Sequence, residues 1–333
     1  MSAIPDIAIL IGRFQPFHNG HAGLLRQALA LAERVLVVPG SAHQARTPKN
    51  PFTWEERAAM IVGSLAADQR ARVAFLPVRD YYDDRRWAAA VEKGVREHCG
   101  EGVKRITLTG FAKDASTYYL NLFPNWAFHA VERQGDIDAS RVRQLYFAGD
   151  FPDDLTALLP ENVARFLQDW SQGADYAALR ADWQAIGQYR QRWGNGPFIT
   201  VDAVVTAAQH VLLIRRGSPP GRGLWAVPGG FLEGRERLLQ GARRELQEET
   251  GFDAPDTALR AIAVFDHPDR SQRARIITHA HWFDLHLDTL PKVHGADDAA
   301  EARWIPLADL PALEAQCFED HFHLLNHFLG VVE

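Results

Sequence analysis

The 333-residue sequence is poor in the features that mark an exported, membrane-bound or nucleic-acid-binding chain. It holds two cysteines, Cys99 and Cys317, far apart and in different expected domains. That argues against a disulfide framework and for a reduced, cytoplasmic setting. No run of about eighteen apolar residues occurs, and no basic stretch followed by an apolar one opens the chain, so neither a membrane span nor a signal peptide is expected. No block of lysine and arginine stands out, and the net charge is −6, which argues against a nucleic-acid partner. Internal repeats and low-complexity segments are missing too. What remains is a globular composition, 47% hydrophobic and 23% charged, in a chain long enough for two domains.

Strand-like and helix-like segments alternate from Ile7 to about Trp170. Strands are expected at residues 8–11, 34–38, 73–78 and 105–109, with helices ending near Glu33 and spanning 53–65 and 87–98. This alternation predicts an α/β fold, a doubly wound parallel sheet with helices on both faces, whose ligands bind beyond the carboxyl ends of the strands. Residues 175–193 read as a polar helical connector, ended by Gly194, Asn195, Gly196 and Pro197. Short strands follow at 198–206, 211–215, 262–265 and 276–285. The expected division is therefore a first domain over 1–174, a connector over 175–196 and a second α/β domain over 197–333.

The stretch GRFQPFHNGH, Gly12 to His21, sits where the first strand hands over to the first helix. A glycine permits a tight turn and a close approach to a ligand, and the helix N-terminus behind it favours an anion. His18 and His21 can both point from that turn toward one phosphate chain. HNGH resembles the HxGH signature of the nucleotidyltransferase superfamily, and the longer stretch is similar to the start of nicotinamide mononucleotide (NMN) adenylyltransferases. The resemblance implies a Rossmann-like fold and adenylyl transfer from ATP to NMN, giving NAD and pyrophosphate. Gly12, Arg13, Phe14 and Gln15 would line the nucleotide, and His18 and His21 would stabilise charge on the phosphates. In the following loop Arg46 and Lys49 would hold polyphosphate, and Trp87 would stack on the pyridine ring. Lys113 and Asp114 are expected at a phosphate or ribose. IDASRVR, Ile137 to Arg143, looks like the ISxTxxR signature, with Ser140 and Arg143 gripping the triphosphate. Asp138 stands where serine is usual, and a carboxylate there needs either a metal or a helix-capping role. Another phosphate monoester, such as nicotinate mononucleotide, is the alternative acceptor.

Further along, Gly230 to Phe252 reads GFLEGRERLLQGARRELQEETGF. Glu245, Glu248 and Glu249 lie at i, i+3 and i+4 of an expected helix, so three carboxylates share one face and repel unless a cation joins them. Hard oxygen ligands of this kind suit Mg²⁺ or Mn²⁺. The stretch fits the Nudix box at Gly230, Glu236, Arg244, Glu245, Leu246, Glu248, Glu249, Gly251 and Phe252. That resemblance implies a mixed sheet between helices and metal-dependent hydrolysis of a nucleoside diphosphate derivative. Glu245, Glu248 and Glu249 would be metal ligands, with Glu245 and Glu249 in catalysis and the general base left open. Arg244 and Glu236 would orient them, and Gly229 and Gly230 would line the site. Trp225 and residues 265–283 resemble the ADP-ribose pyrophosphatases fused to NMN adenylyltransferases, in which Arg273 and Arg275 would meet the substrate diphosphate.

Taken whole, the chain is similar to bifunctional NMN adenylyltransferase/Nudix hydrolases. This implies small-molecule nucleotides as partners (ATP, NMN, NAD, ADP-ribose) and leaves open a homo-oligomer. The alternatives for the second domain are another nucleoside diphosphate derivative, or nucleotide sensing as in Nudix-like domains of transcriptional regulators. A regulator would need a DNA-binding segment, and only one closing helix is expected after Pro306. The histidines of HFHLLNH, residues 321–327, are expected on an amphipathic helix covering the second core.

Overall fold

The computed structural model describes residues 5–100, 103, 105–111, 122–131, 137–149 and 153–332. Two compact units emerge, Met1–Arg180 and Ala181–Glu333.

In the first unit the order is β1 (Ile7–Gly12), α1 (Asn19–Leu31), β2 (Arg34–Pro39), α2 (Trp54–Gly63), α3 (Ala67–Arg70), β3 (Val73–Phe75), α4 (Asp84–Cys99), β4 (Ile106–Phe111) and β5 (Ala127–Val131). Three helices follow, α5 (Ala139–Ala148), α6 (Asp153–Ala157) and α7 (Glu161–Trp170), and then the long α8 (Ala174–Trp193). The five strands are all parallel, in the order β3-β2-β1-β4-β5. Alternation explains how a strand such as IAILIG serves two layers. Ile7 and Ile9 join Leu36, Val38 and Leu108 against Val91 and Val95 of α4. The intervening Ala8 and Leu10 are equally buried, and α1 covers β1, β2 and β4. The strand order reverses between β1 and β4, so the crevice at their carboxyl ends is a topological switch point. The HNGH turn leaves β1 there.

The expected strand at 73–78 is cut to three residues, because Pro77 has no N–H for the ladder. Leu76 and Val78 still donate singly to Val37 and Pro39 of β2. Strand β5 was not legible, since most of its residues are exposed at the sheet edge and give no clean apolar alternation.

The second unit comprises β6 (Phe198–Ala207), β7 (His210–Arg216), β8 (Trp225–Ala226), β9 (Gly229–Phe231), α9 (Leu238–Thr250), β10 (Leu259–Phe265), β11 (Ile276–Asp284) and β12 (Ala299–Pro306). A 3₁₀ stretch (Leu307–Gln316) and α10 (His321–Leu329) end it, one element more than the single closing helix expected. Its seven-stranded sheet runs β10-β11-β6-β7-β12, with β8 on β7 and β9 on β6. Only β6 and β11 are parallel, so the sheet is mixed. Ala203 and Val205 pack with Leu246 of α9, while Val204 between them packs with Phe322, Leu324 and Leu325 of α10. The sheet is thus sandwiched between helices. Strand β12 escaped the sequence pattern because a register shift between Ala299 and Glu301 breaks its alternation.

The division between the units falls inside α8, the helix expected as a connector. Its first turn belongs to the first unit, where the Tyr176 hydroxyl donates to the Tyr146 carbonyl (2.9 Å). Further along, Asp182 accepts from the Gly221 N–H (3.0 Å) and Arg190 donates to the Gln272 and Arg273 carbonyls in the second. Among the described residues no helix is long and apolar enough to cross a membrane.

Candidate active sites

The first site is built on the turn after β1. A Cβ on Gly12 would press on the Phe14 ring at 3.0 Å, and Phe14 itself holds φ 52, a left-handed conformation that costs a bulky residue free energy. Its ring is buried and edge-on to His21, 5.0 Å between centroids. Phe14, expected along the nucleotide, is thus a packing residue whose backbone shapes the turn. Gln15 is also buried. Its amide donates to the Phe52 carbonyl (2.8 Å) and accepts from the Phe52 N–H (3.0 Å), fastening the turn to the loop before α2.

His18 and His21 cap α1 reciprocally. The His21 N–H donates to His18 Nδ1 and the His18 N–H to His21 Nδ1, both at 3.4 Å. This is a capping box made with imidazoles in place of the usual hydroxyl and carboxylate. The rings stack with centroids 3.6 Å apart. Although one edge of His21 keeps some surface, the atoms packed around it desolvate the imidazole. That desolvation and the neighbouring His18 hold it well below its ordinary value, against a contact with the Pro16 carbonyl. His21 is therefore neutral near pH 7.

Arg143, one turn into α5, reaches this turn from 128 residues away and donates to the Gln15 carbonyl (2.7 Å) and to Ser140 Oγ (3.2 Å). Asp138 is the α5 N-cap, accepting from the Ser140 N–H (2.9 Å), which is the capping role left open by the sequence. Burial and then the nearby Arg13 push Arg143 down to about 10. Arg13 is exposed, and among the described residues neither it nor Arg143 forms an ion pair.

A residue the sequence reading passed over holds this arrangement together. Arg57 on α2 is 0% exposed, and its guanidinium donates to the carbonyls of Arg13 (2.6 Å), Gly40 (2.8 Å) and Thr53 (3.2 Å). It pins the carboxyl ends of β1 and β2, at the cost of a burial that pushes it down to about 10. The available signal was spacing, for Arg57 lies at i−3 and i−4 from the buried Met60 and Ile61.

Other expected site residues have partners within the chain. Arg46, expected at the polyphosphate, is braced from several sides. It is bound by Glu56 (2.6 Å) and Asp175 (3.2 Å), donates to the Pro51 carbonyl (2.8 Å) and lies over the Trp170 ring. Lys49 lies half-buried in the same loop. Trp87 is half-buried against Phe123, 5.8 Å between centroids, and packs on the sheet's core. Lys113 and Asp114 lie outside the described residues.

The second site gathers where β9 meets α9. Gly229 and Gly230 pair with Asp202 and Val201 of β6, and a Cβ on Gly229 would collide with the Asp202 carboxylate, one on Gly230 with that of Glu245. Only glycine permits this approach. The Gly229 N–H donates to Glu249 Oε2 (2.9 Å). Glu249 is 4% exposed, and burial, only partly opposed by that N–H and reinforced by Glu245, pushes its carboxyl up to about 8. Burial likewise raises Glu245. Glu248 is exposed. Arg244 draws Glu236 (2.8 Å), Glu245 (2.9 Å) and Glu248 (2.8 Å) around its guanidinium. With Glu245 and Glu248 so turned, no three acidic, histidine or cysteine side chains among the described residues converge on one point. The donor set still fits a hard divalent cation, since buried carboxylates held up by desolvation and mutual repulsion gain most from one.

Arg273 and Arg275 part company. Arg273 lies over Phe231 and Phe318, with Glu319 at 3.5 Å. Arg275, expected at the substrate, instead donates to the Asp266 carbonyl. Trp225 is buried, with Arg215 stacked on it at 4.4 Å. The sequence reading missed Asp202, a lone carboxylate in the apolar β6 that accepts from the Thr278 hydroxyl. On α10, His321 Nδ1 accepts from the Val227 N–H (3.1 Å), and His323 and His327 meet Phe265 edge-on. Burial pushes the Cys317 thiol up to about 12 and raises Cys99 too, so both stay protonated.

Together the units define a nucleotidyltransferase-type domain followed by a Nudix domain. A cytidylyltransferase-like family model matches residues 9–88, and a NUDIX domain model matches 196–328. The chain is 34% identical over 181 residues to the nicotinamide/nicotinic acid mononucleotide adenylyltransferase of Acinetobacter baylyi, covering 54% of this chain and 94% of that one. Over 133 residues it is 34% identical to the ADP-ribose pyrophosphatase of Methanocaldococcus jannaschii, covering 40% of this chain and 73% of that one. The bifunctional NMN adenylyltransferase/ADP-ribose pyrophosphatase of Francisella tularensis is 32% identical and matches 98% of this chain and 99% of its own. Two crystal structures of it give TM-scores of 0.91 and 0.90, the second complexed with AMP and a manganese ion. The chain belongs to this family of bifunctional NMN adenylyltransferase/ADP-ribose pyrophosphatases.

Proposed function

We propose that the first unit transfers the adenylyl group of ATP to NMN, giving NAD and pyrophosphate, and that the second hydrolyses ADP-ribose to AMP and ribose 5-phosphate. The observation that carries this is the joining, in one chain, of a cation-lined turn with a glycine-backed set of buried carboxylates. Arg13 and Arg143 flank the first, and Glu245 and Glu249 form the second.

In the first reaction an NMN phosphate oxygen attacks the α-phosphorus of ATP, and the bond to the pyrophosphate oxygen breaks. Such chemistry rests on positioning and on charge stabilisation, so no protein nucleophile is required. His21, kept neutral by its packing, donates a hydrogen bond to phosphate without carrying charge. Arg143 and Arg13 neutralise charge that builds on the leaving pyrophosphate. Ser140, whose hydroxyl steadies Arg143, positions it. Nicotinic acid mononucleotide is supported as a second acceptor by the name of the Acinetobacter relative.

In the second reaction water adds to one phosphorus of the diphosphate, the P–O–P bond breaks, and a base takes the proton. Mg²⁺ or Mn²⁺, held by Glu245, Glu248 and Glu249, would neutralise the diphosphate and polarise it. Arg244 and Glu236 orient that carboxylate set, and the Gly229 and Gly230 backbone lets the substrate approach it.

The test is product chromatography. Purified protein and Mg²⁺ are incubated in one tube with ATP and NMN, and in another with ADP-ribose. NAD in the first and AMP in the second are expected, and excess chelator should stop the second reaction. ADP-ribose left intact overturns the second assignment. Failure of the first tube alone overturns NMN as acceptor.

A further inference from the structure

The sheet of the second unit has two edges, and they differ. Strand β12 exposes Ala300 and the charged Arg303 and ends at Pro306, features that discourage another strand from pairing there. Strand β10, at the opposite edge, has neither lysine nor proline. Its Ala263 and Phe265 turn into the core with α10, while Arg260, Ile262, Val264 and the following Asp266 face solvent. Ile262 is 53% and Val264 54% exposed, so the strand leaves branched apolar side chains in water. A register shift between Leu259 and Ala261 frees Arg260 from the ladder with β11. At the other end Arg275 fixes Asp266 through its carbonyl. Among the described residues no element pairs with the outer side of β10, and neither Arg260 nor Asp266 forms an ion pair.

The exposed face reads Arg, Ile, Val, Asp, and this order becomes its own complement when the strand is reversed. Two antiparallel copies related by a two-fold axis must set like faces on the same side, because side chains alternate with period two. Only a few registers satisfy that condition. An axis at Ile262 would set Arg260 opposite Val264, and one at Val264 would set Ile262 opposite Asp266. An axis at Ala263 instead sets Arg260 opposite Asp266 and Ile262 opposite Val264, each pair made twice. On the other face it sets the small Ala261 opposite Phe265. Opposite charges and branched apolar pairs directly across from one another are what stabilise neighbouring strands.

We propose that β10 is the interface of a homodimer, in which two copies of the chain join edge to edge, antiparallel about Ala263, and their sheets run on as one. The occupant is a second copy because each chain supplies the acid for the other's base and the apolar partner for the other's apolar pair. Such an interface is isologous and closes at two chains. One pair of strands is smaller than the about 1,200 Å² of a standard interface, so the dimer comes apart on dilution.

The test is sedimentation velocity of the full-length protein from about 1 to 100 µM. The mass should rise with concentration from one chain to two and no further. Ile262→Lys should raise the dissociation constant about hundredfold, since the change occurs twice in the pair. Arg260→Asp and Asp266→Arg should each raise it about tenfold by setting like charges opposite one another. The double variant Arg260→Asp/Asp266→Arg exchanges the charges and should return it to within about threefold of the wild type. All three positions are exposed, so the variants keep their fold, which circular dichroism checks. Protein that stays monomeric throughout, or that grows beyond two chains, overturns the proposal. A dimer unmoved by Ile262→Lys forms through another surface and overturns it too. Charge exchange that fails to restore the dimer excludes the pairing about Ala263.

Discussion

The two candidate sites would meet the same chemical group, the phosphate, with opposite charge. The turn after β1 would meet it with Arg143, whose partner is the Gln15 carbonyl, while the buried Arg57 braces that turn through the Arg13 and Gly40 carbonyls. Carbonyls orient a guanidinium without neutralising it, so the positive charge stays available to an anion. The Nudix unit instead sets the half-buried Glu245 and the buried Glu249 beside a glycine backbone, where they hold their protons more tightly than usual. A divalent cation would complete the charge of that proposed site. Phosphate can thus be held directly by cations or through carboxylates and metal, and the choice decides what each site tolerates.

The comparison is broken most severely by removing one anchor from each side. Glu249→Gln should lower ADP-ribose hydrolysis by about 10³-fold, at the upper end for loss of one preorganised group, with NAD formation kept. Loss of both products in a folded variant would mean that the sites are not separate. His21→Ala is the mirror experiment, and it should lower NAD formation by about 10²-fold while ADP-ribose hydrolysis persists.

Arg57→Met sharpens the comparison, because it removes a brace that touches no substrate. Leaving the Arg13 and Gly40 carbonyls unpaired should cost about 2–4 kcal/mol. The readout is the inactivation temperature of NAD formation, with ADP-ribose hydrolysis in the same sample as reference. Equal shifts of both activities would argue against a local brace.

The smallest effect is acid sensitivity. Burial, with Arg270, Arg216 and Arg273 nearby, holds His321 well below its ordinary 6.5, and its Nδ1 accepts from Val227 in the neutral form. The unfolded chain binds that proton more readily than the folded one. Stability is therefore complete above pH 6.5 and falls as the pH drops below it. The slope should reach about 1.4 kcal/mol per pH unit for one such group. Thermal unfolding of the wild type between pH 7.5 and 5.5 should show the decline. His321→Gln should be less stable throughout yet flatter with pH, and an unchanged slope would assign the sensitivity elsewhere.

Much of this was legible in the sequence, for specific reasons. Strands β1, β2, β6 and β11 are long and apolar enough to read, and the helical spacing of Glu245, Glu248 and Glu249 follows from local periodicity. Fixed glycines announced both close approaches. Residues whose role depends on a distant partner were not legible. Arg46 was expected at a phosphate, and nothing local announced the Glu56, Asp175 and Trp170 that surround it. Arg275 looked like Arg273 until one was found bound to Asp266 and the other beside Phe318. Arg57 carried little local signal, because burying a guanidinium requires carbonyls supplied by other elements.

By itself the sequence determined two α/β domains and the chemistry at each, because helix caps, glycine turns and carboxylate spacing are local and need only a few neighbouring residues. Tertiary structure alone decided which cations remain open to an anion and which are consumed as braces. That outcome depends on partners brought together from far along the chain, as Arg143 is brought to Gln15 across 128 residues.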